Sequence, residues 1–96
     1  MVRRKAQVDD NQAEIVEGLR KAGVAVAVTS SAGQGFPDIV AGFRGQNYLI
    51  EIKDGKKPPS KRKLTPDQVS FHNQWKGQIA VAKSLTEAFK IIGLLE

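Results

Sequence analysis

The strongest constraint on this chain's fold is a hairpin signature near its middle. Two segments of strand character, Asp38 to Phe43 and Tyr48 to Lys53, flank Arg44-Gly45-Gln46-Asn47, which has the turn chemistry that lets a chain reverse on itself. Two antiparallel strands therefore sit at the centre of any compact arrangement, and the other elements must cover them. A helix is expected from a cap at Asp9 or Asp10 to about Ala22, with Ile15, Leu19 and Ala22 on one face and Gly23 ending it. Val24 to Val28, rich in valine and bounded by Gly23 and Thr29-Ser30-Ser31, reads as a short buried strand. Residues 29–36 form a loop in which Gly33 and Gly35 serve turns; no Gly-Lys-Ser/Thr ending follows them, which argues against a phosphate cradle.

Further on, Thr65-Pro66-Asp67-Gln68 combines a capping threonine, a proline at the first helical position and a glutamine placed to close a capping box. The helix it opens should reach Trp75 or Lys76 before Gly77 breaks it. Ile79 to Ala82 reads as a fourth strand, and Ser84 with Glu87 three residues on starts a last helix toward Leu95. The expected fold class is α/β, in the order helix, three strands, helix, strand, helix, with a central mixed sheet flanked by helices. Ninety-six residues suit one domain, 1–96, with one core. No cysteine is present, so disulfides and thiolate zinc sites are excluded, and cytoplasm is the default location. The opening MVRRKAQVDD lacks the apolar stretch of a signal peptide, and no later run approaches a membrane span.

The net charge of +5 favours a polyanionic partner, with solubility alone as the plainer explanation. Its distribution sharpens the point. Beyond a basic tail over 1–8, Lys56, Lys57, Lys61, Arg62 and Lys63 cluster around Pro58, Pro59 and Ser60, so 54–63 is expected to be a flexible, extended basic loop. Its side chains suit contacts to nucleic-acid phosphates, which position a duplex without reading its sequence.

Side chains two apart on a strand share a face, so Glu51 and Lys53 project together while Ile50 and Ile52 turn away. A charged strand face is usually just solvated. Here the hairpin also brings Asp38 alongside, and two carboxylates with an ammonium group suit phosphodiester hydrolysis. Mg²⁺ takes oxygen ligands and needs only one or two protein carboxylates, and a lysine can position the attacking water and offset developing charge. Glu14, at the edge of the first helix's apolar stripe beside Gly18, is a candidate third acid, or else an ordinary boundary residue. Trp75 and His72 have plainer roles as core and packing residues.

Glu14, Gly35-Phe36-Pro37-Asp38, Glu51-Ile52-Lys53 and Gln68 together resemble the PD-(D/E)XK nuclease superfamily, and within it the small stand-alone VRR-NUC domains of phages and bacteria, over roughly residues 9–92. The resemblance implies a restriction-endonuclease-like core with Mg²⁺ or Mn²⁺. It implies Asp38 and Glu51 as metal-binding acids, Glu14 as the helical acid, Lys53 as the catalytic lysine and Gln68 lining the same site. It also implies a homodimer that acts on branched DNA such as four-way junctions, as Holliday junction resolvases do. The apolar last helix, with Leu85, Phe89, Ile91, Ile92, Leu94 and Leu95, offers either an interface or a wide core stripe. The competing expectations are a non-catalytic DNA-binding module of the same fold and an RNA-processing nuclease with the same chemistry.

Overall fold

A computed structural model describes residues 8–96; the basic tail expected over 1–8 lies, except for Val8, outside the described residues. The elements run α1 (Gln12–Lys21), β1 (Ala25–Val28), β2 (Ile39–Phe43), β3 (Gln46–Ile52), a short 3₁₀ turn (Pro59–Lys61), α2 (Pro66–Gln74), β4 (Ile79–Ala82) and α3 (Leu85–Ile91). The four strands form one mixed sheet in the order β1-β2-β3-β4, with β1, β2 and β3 antiparallel and β4 parallel to β3. This is the α/β architecture expected from the sequence.

The hairpin turn is tighter than the four residues suggested. Phe43 pairs with Gln46, leaving only Arg44 and Gly45 in the loop, both at positive φ (51° and 78°). Two left-handed residues make the turn whose twist matches that of the flanking strands. Ile39, Ala41, Ile50 and Ile52 lie on the inner face of the sheet and are fully buried under Ile15, Val16 and Leu19 of α1 and Ala88 and Ile92 near α3. Leu85, Phe89, Ile91 and Leu94 also pack against this core while staying partly exposed, and Leu95 is 45% exposed.

Several expectations are corrected. β1 is an exposed edge strand, because it pairs with β2 on one side only; Val24, just before it, is the buried residue of that segment. Neither Asp9 nor Asp10 caps α1 through its side chain. Asn11 stands at the cap position, and its amide group instead donates to the carbonyls of Lys53 (3.2 Å) and Lys83 (3.3 Å), tying the helix start to the ends of β3 and β4. The basic loop is not simply extended: it turns through the 3₁₀ segment, and Gly55 N–H donates to the Lys83 carbonyl. The capping box of α2 forms as expected. Among the described residues no helix is long and apolar enough to cross a membrane.

Candidate active site

The strand register builds the site. Ile39 pairs with Ile50, so Asp38, one residue earlier, falls across from Glu51 on the face opposite the core. Asp38 is held by two hydrogen bonds of its own and a third to its neighbour Pro37. Thr29 N–H donates to the Asp38 carbonyl (2.7 Å), the Thr29 hydroxyl donates to the Pro37 carbonyl (2.7 Å), and Ile52 N–H donates to Asp38 Oδ2 (2.7 Å). Buried Pro37 fixes the approach to the strand.

The charged face of β3 is not solvated, as such faces usually are. Glu51 and Lys53 are 2% and 8% exposed, because α2 begins directly above them. Gln68 joins helix to strand: its Oε1 accepts from Lys53 Nζ (3.0 Å) and from Thr65 N–H (2.9 Å), and its Nε2 donates to Glu51 Oε2 (3.1 Å). One side chain thus closes the capping box and links the acid to the lysine, so the two roles expected of Gln68 coexist. Lys53 Nζ stands 3.8 Å from Glu51 Oε2, while Glu51 Oε1 is buried and, with Glu51 and Asp38 both ionised, has no hydrogen-bond partner. Burial, reinforced by a side-chain hydrogen bond to Asp38 and by its charge, opposed by Lys53 and weakly aided by Asp9, pushes the Glu51 carboxyl up to about 9.

A buried carboxylate pair with one unsatisfied oxygen matches the donor set of a hard divalent cation. Among the described residues no group of three or more His, Asp or Glu side chains gathers as a cation site; the acids that line the cleft here are Asp38, Glu51 and, at its edge, Asp9. The same cleft is lined also by Val8, Lys53, Lys57, Ser60, Lys61, Lys63, Thr65 and Gln68. Lys57, Lys61 and Lys63 therefore face the site. Arg62 instead lines a hollow with Pro59, Val81, Lys83 and Glu87, and Lys56 lines a third cleft with Asp10 and Asp54.

Glu14 is not brought to this cleft. It is exposed and lines the third cleft, with Asp54, Lys56 and Lys83. The reason lies in Gly18, one turn on: a Cβ there would run into the Leu85 side chain, so that side of α1 is turned to α3 rather than to the site. The polar residue of α1 that is buried is Gln12, whose Nε2 donates to Ser30 Oγ (3.4 Å) in the loop leading to Asp38 and whose Oε1 is unpartnered. Sequence reasoning passed over it because a helical glutamine carries no charge signal. Trp75 is 40% exposed rather than core. It stacks on Phe71 (5.3 Å), which meets Phe36 edge-on (5.2 Å). His72, one turn after Gln68, is lowered by burial and then by the Lys53 charge.

No curated protein and no solved structure gives a significant match to this chain. The family comparison does, over nearly all of its length: residues 3–92 match the model of the archaeal Holliday junction resolvases (Hjc), and the chain belongs to that family, a branch of the PD-(D/E)XK nucleases.

Proposed function

We propose that the protein is a divalent-metal-dependent endodeoxyribonuclease that hydrolyses phosphodiesters in branched DNA, four-way junctions above all. The observation that carries this reading is the buried convergence of Asp38, Glu51 and Lys53 under Gln68, with Glu51 Oε1 left unsatisfied. Burying two acids side by side with one oxygen left unsatisfied is costly, and such uncompensated cost is characteristic of functional sites. Asp38 and Glu51 would hold Mg²⁺ or Mn²⁺, which supplies Lewis-acid activation of water and charge neutralisation at phosphate. Lys53, aimed by Gln68, positions the attacking water and stabilises charge on the phosphate oxygens. Lys57, Lys61 and Lys63 contact the backbone on either side of the cut. Membership of a resolvase family supports the branched substrate, and the small VRR-NUC domains are the subgroup the sequence motifs favour.

One domain with one site cuts one strand, so paired incision across a junction calls for two copies related by symmetry. The second copy docks on α2 rather than α3. No residue of α2 is buried, Val69 and Trp75 stand 43% and 40% exposed, and Asp67 is the helix's only formally charged residue. A chain of charge +5 associates with itself most readily where like charge is absent. Light scattering should give a dimer mass that Trp75→Arg halves; a monomeric wild type refutes the docking.

The activity is tested by incubating labelled four-way junction, flap and linear duplex DNA, with RNA counterparts, in Mg²⁺ or Mn²⁺. Cutting of the junction in preference to the others is expected. DNA binding without cutting in either metal would make the chain a binding module, and preferential cutting of RNA would replace the substrate class.

A further inference from the structure

Lys57, one of the three cleft lysines assigned to the DNA backbone, is already paired within the protein. Lys57 Nζ lies 3.5 Å from Asp9 Oδ1 and 4.0 Å from Asp10 Oδ2. Asp10 is 86% exposed and held loosely, but the Asp9 side chain is only 19% exposed and that of Lys57 38%. Asp9 is also anchored, since its carbonyl accepts from Gln12 N–H (3.0 Å) at the start of α1. The pair therefore spans the cleft, from the segment before α1 to the basic loop after β3. Lys61 and Lys63 line the same cleft and form no ion pair among the described residues.

A carboxylate and a backbone phosphodiester are both monoanions that an ammonium group binds through the same hydrogens, so a phosphate approaching Lys57 competes with the Asp9 carboxylate for its charge. We propose that Asp9 is an internal competitor for Lys57: the pair latches the cleft in the free protein, and a backbone phosphate of the incoming DNA displaces the Asp9 carboxylate. This latch rests on the reading that DNA phosphates enter this cleft. Its partial exposure makes it a weak competitor, of the strength that an incoming strand opens easily. Exposed and half-exposed pairs are worth a factor of about two to five in an equilibrium constant.

The test is a double-mutant cycle in DNA affinity, measured by anisotropy of a labelled four-way junction in EDTA so that cleavage plays no part. Asp9→Asn keeps the backbone contact to α1 and removes the charge; it should tighten binding about two- to five-fold. Lys57→Met should weaken binding, and in that background the gain from Asp9→Asn should shrink to less than about 1.5-fold, because its competitor role is gone. In a Lys61→Met background the gain should persist in full. An equal gain in all backgrounds would mean that Asp9 acts only as one more negative charge, and the latch would be overturned while the cleft remained the DNA site. Binding that neither lysine substitution weakens would remove DNA from the cleft altogether, and the latch with it.

Discussion

Replacing Glu51 with glutamine should change how the protein's stability depends on pH. With its carboxyl raised to about 9 from the ordinary value of 4.5, the folded protein free of divalent metal holds a proton that the unfolded chain has already lost. Between those two values stability falls as pH rises: the contribution is fully present below 4.5 and lost through about 9. One extra bound proton corresponds to a slope of about 1.4 kcal/mol per pH unit, so the group should cost the wild type about 2–3 kcal/mol between pH 5.5 and 7.5. Glutamine resembles the protonated acid in shape, can still accept from Gln68 Nε2, and does not titrate. Urea unfolding of wild type and Glu51→Gln in EDTA at pH 5.5, 6.5 and 7.5 measures the difference, in which other titrating groups cancel. The variant's advantage should grow with pH by about that amount, equivalent to roughly 10–20 °C in midpoint temperature. Because the ionised carboxylate is the form that binds a cation, added Mg²⁺ should flatten the wild-type slope and leave the variant unmoved. An advantage that stays constant across the three pH values would refute the raised carboxyl and the buried-pair reasoning behind it.

Three further outcomes are expected. Gln68→Ala removes the partner of both Glu51 and Lys53 and half of the capping box; it should destabilise by about 1–3 kcal/mol in thermal unfolding and slow cleavage more than it weakens DNA binding. Gly35→Ala should destabilise by about 2–4 kcal/mol in the same assay, since φ is +80° and a Cβ would press on the Asp67 backbone at the start of α2. Glu14→Gln, at an exposed position away from the cleft, should stay within about 0.5 kcal/mol of wild type and within two-fold in junction cleavage.

Elements with strong local signals were legible in the sequence. Thr65-Pro66-Asp67-Gln68 opens α2 as its chemistry dictates, and the alternation Ile50-Glu51-Ile52-Lys53 divides core from site because strand periodicity is rigid. The convergence of Asp38 with Glu51 followed from the hairpin, even though its turn proved two residues long. What depends on how elements pack was not legible. The valines of β1 carry the same strand signal at an edge as in the middle of a sheet, and only the strand order distinguishes them. Glu14 sits one turn before Gly18, and which helix approaches that glycine is a tertiary fact; the neighbour is Leu85 of α3. The basic cluster was plain from composition, but which of its side chains face the cleft depends on the 3₁₀ turn at Pro59–Lys61. Sequence motifs reached the superfamily and pointed within it to the VRR-NUC domains, whereas the family match assigns the chain to the archaeal Holliday junction resolvases.

The most direct test of the central claim is single-turnover cleavage of a four-way junction by wild type, Asp38→Asn and Lys53→Met, each shown by circular dichroism to be folded. Both substitutions should lower the cleavage rate by at least about 100-fold while junction binding changes far less, as removal of groups acting in the transition state requires. Cleavage that survives either substitution within a few-fold of the wild-type rate would contradict the assignment of this buried trio as the site of phosphodiester hydrolysis.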